Sequence, residues 1–254
     1  MQGQTQEADG FLGGKLRLKQ PRDGFRSGHD AVLLAAAANP PMGGHIVELG
    51  CGAGVASLCF VARRQDAQIT GLDIDDKMIG LAGQNATANG LEAQTHFRTG
   101  DVAGPFADLH VVANSFDEVI ANPPYYETGT VPPIDDDGKA RAHIAAHGTL
   151  DNWVKCAAAL TRAKGYVTFI HRADALTGLL AVMSKRLGDL HILPVLPKPN
   201  RPATRVLVRG RRDARAPVTL LPPLVLQDGD GAPSQAAEAV LRHGAALAFA
   251  VGDG

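Results

Sequence analysis

From residue 45 onward the chain alternates short apolar runs with longer stretches of helical spacing. HIVELG, QITGLDI, THFRTG, FDEVIANP and GYVTFIH are brief, apolar and closed by Gly, Asp or Asn, a pattern that predicts strands. VASLCFVARRQ, DKMIGLAGQNATAN, LDNWVKCAAALTRA and DALTGLLAVMSKRL place apolar residues at helical intervals between them. Such alternation implies a parallel sheet covered by helices on both faces. Two further runs, LHILPVL and ATRVLVRG, are joined only by PKPNRP. That connection is too short for a parallel crossover, so the pair is predicted to be antiparallel. The expected fold class is α/β: a doubly wound, Rossmann-like sheet of seven mostly parallel strands with an antiparallel final hairpin.

Three segments follow from this pattern. Residues 1–40 read as an N-terminal arm and helix packing on the core, from FLGGKLRLKQP and HDAVLLAAAA. Residues 41–210 form the main domain. Residues 211–254 are an extension rich in Arg, Pro, Gly and Asp, with one helix predicted in SQAAEAVLRHG and Ser234 near its cap. The stretch YETGTVPPIDDDGKAR (126–141) is a long polar loop, and loops of that length beside a site serve as lids or binding segments.

Composition narrows the class. The 254 residues are 45% hydrophobic and 20% charged, the profile of an ordinary globular domain. No apolar run approaches the ~20 residues of a membrane span, and MQGQTQEADG lacks the layout of a secretory signal. A cytoplasmic protein with no membrane contact is expected. Cys51, Cys59 and Cys156 are scattered without a CxxC pair, so neither disulfides nor structural zinc is expected. His143 and His147 stand four apart, but no accompanying glutamate or third ligand completes a metal motif. No metal is expected. With net charge −1, any nucleic-acid affinity must come from local clusters. Lys198, Arg201, Arg205, Arg209, Arg211, Arg212 and Arg215 form one, and Lys15, Arg17, Lys19, Arg22 and Arg26 another. Each reads equally well as a phosphate-binding surface or as a solvated face.

The chemistry concentrates at strand ends. VELGCGAG (47–54) closes the first predicted strand of the main domain, and Gly50, Gly52 and Gly54 allow a tight turn and close approach to a ligand. A dinucleotide fingerprint needs GxGxxG, whereas here the spacing is GxGxG with Val55 at the next position. Glu48 just before the loop is a poor neighbour for a pyrophosphate and suits a ligand ending in ammonium and carboxylate. Asp73, ending the second strand, can accept both hydroxyls of a ribose. Asp101, ending the third, can accept from an adenine amino group. Either acid alone could be a turn former or helix cap. Together with the glycines they occupy successive carboxyl ends, where open α/β sheets bind ligands.

ExGxGxG, Asp73, Asp101 and the later NPPY together resemble a class I S-adenosylmethionine-dependent methyltransferase. More narrowly, QPRDGFRSGHDAVLLAAA, NPPYY and PATRVLVRG followed by LPPLVL resemble the bacterial tRNA(Val) adenine-N6 methyltransferase family. The likeness spans most of residues 9–226. It implies S-adenosylmethionine as cofactor, held by Glu48, Gly50, Gly52, Gly54, Asp73, Asp101 and Asn122, with Phe25, Arg26 and Asp30 near its methionine end. Capping of the helix is the plainer role for Asp30.

An exocyclic amino nitrogen is a poor nucleophile because its lone pair is delocalised into the ring. Asn122 can accept one of its protons through the side-chain oxygen, and the Pro123 carbonyl can accept the other. Proline stiffness holds both acceptors in place. Tyr125 is expected to stack on the target base. Tyr126 serves substrate, lid or core, and Lys198, Arg201 and Arg205 are further candidates for substrate contact. Trp153 reads as core, and Cys51 as packing within the loop. The expected reaction is methyl transfer to adenine N6 in tRNA, beside the anticodon. Glutamine in a release factor and guanine N2 in ribosomal RNA pose the same nitrogen chemistry. An NAD-dependent oxidoreductase and a catalytically idle binding module are the other classes considered. The glycine spacing disfavours the first and the intact NPPY box the second.

Overall fold

The computed structural model describes residues 8–22, 26–124 and 149–249. Phe25, Tyr125, Tyr126, the polar loop expected at 126–141, His143 and His147 lie outside the described residues.

The N-terminal arm is a hairpin in which β1 (Asp9–Phe11) pairs antiparallel with β2 (Leu16–Leu18). Helix α1 (His29–Ala37) follows. The main sheet is then built by β3 (His45–Leu49), β4 (Gln68–Asp73), β5 (Thr95–Thr99) and β6 (Phe116–Ala121). It is extended by β7 (Thr161–Arg172), β8 (Leu187–Leu196) and β9 (Arg205–Arg212). Connecting helices are α2 (Val55–Arg63), α3 (Asp76–Ala88), α4 (Leu150–Leu160) and α5 (Leu176–Met183). With a short strand at Thr219–Leu220 as β10, the strand order is β10-β8-β9-β7-β6-β3-β4-β5, and among the described strands only β9 runs against its neighbours. The antiparallel hairpin expected from the short PKPNRP connection is therefore the β8–β9 pair.

The expected seven strands need one correction. The segment after residue 211 adds two short strands, β10 (Thr219–Leu220) and β11 (Leu224–Val225), both parallel to β8, so the sheet has nine strands among the described residues. Two-residue strands carry too little alternation to be read from sequence. The last described helix is α6 (Gln235–Leu241), whose cap is Ser234, accepting from the Ala237 N–H at 3.0 Å. Asp30 does not cap α1. Gly28 holds the cap position, and the Asp30 carboxylate takes the Arg205 Nε–H at 2.7 Å instead.

Strand periodicity divides the interior cleanly. Ile46, Ile120, Ile170 and Leu207 face one cluster with the arm, α1 and α2. Val47, Val119, Phe169 and Val206 face another with α4 and α5. Each fully buried aliphatic side chain contributes about 1.5–3 kcal/mol. One polar knot interrupts the first face: Glu118, wholly buried, accepts from Thr168 Oγ1 at 2.7 Å and the Asn39 N–H at 3.0 Å, and pairs with Arg209 at 3.3 Å. Arg209 in turn lies 3.9 Å over the Tyr166 ring.

This knot keeps the basic cluster at 198–215 from forming one continuous surface. Arg209 is committed to Glu118, Arg211 Nε donates to the Lys164 carbonyl at 3.1 Å, and Arg212 Nη1 donates to the Ala158 carbonyl at 3.0 Å. Lys198 and Arg201 remain exposed, on the β8–β9 turn.

Candidate active site

A cavity of about 600 Å³ opens at the carboxyl ends of β3, β4 and β6. Its walls include Glu48, Gly50, Gly52, Asp73, Asp101 and Asn122. The structure thus brings together residues separated by up to 74 positions (122 − 48). Pro123 and Pro124 line it too, so the Asn-Pro-Pro corner faces the glycine loop instead of turning into the core.

Backbone geometry explains the loop. Gly50 has φ +67°, and a Cβ there would stand 2.5 Å from Trp153 Cη2, so only glycine fits beneath the indole. Gly54 lies outside the cavity lining. It adopts φ +80° at the cap of α2, where a Cβ would come within 3.0 Å of Ala82 Cβ and Phe97 Cζ. Its place in the structure is that of a turn and packing residue. The loop is held from outside by the Gly52 N–H, which donates to Asp73 Oδ2 at 2.8 Å. From the arm side, Asn85 Nδ2 donates to the Ala53 and Lys19 carbonyls, each at 2.9 Å.

Glu48 is buried and accepts from Ser57 Oγ at 2.5 Å. Burial raises its pKa to about 8, against the opposing pull of the Ser57 hydrogen bonds, so the carboxyl is mostly neutral at pH 7. The Cys51 thiol is pushed up by burial first and then by Glu48 and Asp73, which leaves no thiolate for nucleophilic chemistry. It packs in the loop, as expected.

The donor set defines the ligand. Among the described lining residues there are four acids, Glu48, Asp73, Asp75 and Asp101, and no Lys, Arg or His. A pyrophosphate would meet only negative or neutral groups there, which disfavours a dinucleotide. S-adenosylmethionine, with sulfonium and ammonium charges and a ribose diol, matches these acceptors. Asp73 accepts from the Gly52 and Asp75 N–H groups and still has lone pairs for two hydroxyls. Asp101, turned by the Ala103 N–H at 2.8 Å, stands at the third strand end. The volume falls within the usual range for cofactor sites.

Several wall residues are not evident in the sequence. Trp153 is only 4% exposed, as expected of a core residue, yet it also lines the cavity. Gln20 and Ser27 bring the arm into the wall, where Gln20 donates to the Ser27 carbonyl and accepts its N–H. The QP (20–21) and SG (27–28) dipeptides are the sequence signal for these two wall residues. Arg26 pairs with Asp9 at 2.5 Å, and neither Arg26 nor Asp30 lines the cavity. Lys198, Arg201 and Arg205 also lie outside it. Among the described residues no cluster of His, Cys, Asp and Glu could hold a metal ion, and no helix is long and apolar enough to cross a membrane.

Fold and cavity together match those of class I methyltransferases, which use S-adenosylmethionine. Residues 27–150 match the family model described as the methyltransferase small domain. Within that class the chain resembles proteins named tRNA1(Val) (adenine(37)-N6)-methyltransferase. The one from Actinobacillus succinogenes is 28% identical, with 82% of this chain and 85% of that protein covered. The one from Vibrio vulnificus is also 28% identical, covering 82% and 84%. A solved structure from Agrobacterium tumefaciens, described as a predicted O-methyltransferase, superposes with TM-score 0.73. It is 25% identical, with 86% of this chain and 98% of that one covered.

Proposed function

We propose that this chain transfers a methyl group to the N6 of an adenine in tRNA, beside the anticodon. The observation that carries the proposal is the Asn122–Pro123–Pro124 corner lining the same cavity as the glycine loop, Asp73 and Asp101. The names of the relatives from Actinobacillus and Vibrio support tRNA as the substrate class. Such a substrate places the enzyme in the cytoplasm.

S-adenosylmethionine, when bound, supplies an electrophilic methyl on a sulfonium. Asp73 receives the ribose hydroxyls, Asp101 the adenine edge, and Glu48, Gly50 and Gly52 the amino-acid end. Gly54 supports them by shaping the loop. Asn122 borders the cofactor and accepts one amino proton of the target, and the Pro123 carbonyl accepts the other. Neither group takes a proton away; they orient the lone pair and stabilise the developing positive charge on nitrogen. Two fixed acceptors suit an NH2 group, whereas a hydroxyl acceptor would need one base. That distinction favours nitrogen over the oxygen specified in the name of the Agrobacterium protein. Tyr125, next in sequence after the corner, is proposed to stack on the base, and Tyr126 serves substrate, lid or core. Lys198 and Arg201, exposed on a turn at the same carboxyl end of the sheet, meet backbone phosphates. Arg205, tied to Asp30 between the wall residues Ser27 and Ala31, flanks them.

The test is transfer of labelled methyl into total extract from cells lacking the gene. Label recovered as N6-methyladenosine from ribonuclease-sensitive material is the expected result. Label in a protease-sensitive product would favour release-factor glutamine, and N2-methylguanosine would favour ribosomal RNA. Either outcome replaces the adenine proposal.

A further inference from the structure

We propose that Trp153 is a positioning residue for methyl transfer, acting through Gly50. The proposal rests on the methyltransferase reading above and assigns a role to a residue that the Asn-Pro-Pro motif and strand-end acids do not include.

Trp153 sits in the first turn of α4, behind a capping box in which Thr149 and Asn152 satisfy each other's backbone N–H groups. Its own N–H donates to the Thr149 carbonyl at 3.2 Å, so the helix start that carries the indole is well fixed. The six-membered ring lies against Gly50: a Cβ at that position would stand 2.5 Å from Cη2, 3.1 Å from Cζ3 and 3.7 Å from Cζ2. The other side of the residue packs with the α4–α5 cluster, and the side chain lines the cavity that Asn122, Pro123 and Pro124 also line. The indole is therefore wedged between a rigid helix start and the most constrained glycine of the loop. It sets how far that loop can move relative to the amide corner.

A loop free to shift by a fraction of an ångström still binds cofactor through Asp73 and Asp101. What suffers is alignment of donor and acceptor, since a misplacement of 1 Å costs about 100-fold in rate. Trp153 thus belongs to the turnover rate more than to affinity.

The chain contains a single tryptophan, so its emission reports this wall directly. Saturation of the wild-type protein with S-adenosylhomocysteine is expected to change that emission. Trp153→Ala is expected to lower kcat by about 100-fold, and Trp153→Phe by less than about tenfold, with the dissociation constant of S-adenosylhomocysteine within about threefold of wild type for both. Trp153→Leu stands in where the alanine variant does not fold. Val154→Ala, buried on the same helix but outside the cavity lining, should lower the melting temperature and leave kcat in place. An unchanged wild-type emission, or turnover of the alanine or leucine variant equal to wild type, overturns the proposal. A kcat loss in Val154→Ala as large as that in Trp153→Ala does the same, because the effect is then one of folding. Absence of RNA methylation by the wild-type protein would sink the functional reading instead, and the emission response would still decide whether Trp153 borders the cofactor.

Discussion

Asp73 Oδ2 accepts the Gly52 N–H at 2.8 Å, tying the end of β4 to the loop that follows β3. Its second oxygen takes the Asp75 N–H at 3.0 Å, so the carboxylate is oriented before any ligand arrives. One side chain therefore shapes the glycine loop and presents acceptors to the cavity.

Removing that carboxylate should cost both roles. Asp73→Ala is expected to weaken S-adenosylhomocysteine binding by about 10–100-fold, the loss of one charge-assisted hydrogen bond at about 1.5–3 kcal/mol. Calorimetry reads this directly, and an unaltered dissociation constant would show that the ribose lies elsewhere.

Asn122 should behave in the opposite way. It is half-buried beside the buried Pro123, and its proposed role is to accept from the reacting nitrogen. Asn122→Ala is expected to lower kcat by about 100–1,000-fold, the range for losing one preorganised polar group, while cofactor affinity stays close to wild type. Single-turnover kinetics with tRNA makes the measurement. Full activity in the variant is incompatible with the proposed acceptor.

Glu48 links the site to stability. Its pKa is raised from 4.5 to about 8 by burial. Between those values the unfolded chain has released the proton and the folded chain still holds it. Stability from this group is therefore lost as pH rises, by about 1.4 kcal/mol per pH unit, and levels off once the folded carboxyl ionises. Glu48→Gln removes the dependence, so denaturant curves from pH 5 to 8 should show a steeper fall for wild type than for the variant. Parallel curves would mean that the carboxyl is not held neutral in the fold.

Lys198 and Arg201 are exposed on the β8–β9 turn, at the carboxyl end of β8 and so at the end of the sheet where the cavity opens. Replacing both with Ala should weaken tRNA binding uniformly across sequences. It should also reduce the slope of log affinity against log salt by about one for each phosphate that is no longer neutralised. Filter binding across a salt series checks it; an unchanged slope assigns the turn to solvent.

Local pattern carried much of this protein. The β–α alternation from His45 onward, the reversed β8–β9 pair and the carboxyl-end placement of the glycine loop and Asp73 all follow from periodicity and connection length. The stiffness of Asn122–Pro123–Pro124 is equally a local property, because proline restricts its own backbone and its predecessor's whatever the surroundings.

Partnership across the chain belonged to the tertiary structure alone. Arg209 and Arg205 look alike in sequence, yet one closes on buried Glu118 and the other on Asp30. Trp153 follows a core pattern and still reaches Gly50, over a hundred positions away. Periodicity states which face a side chain turns to; it does not state what stands opposite. That is settled when helices pack and strands take their order, since only then do distant residues come within hydrogen-bond or van der Waals reach.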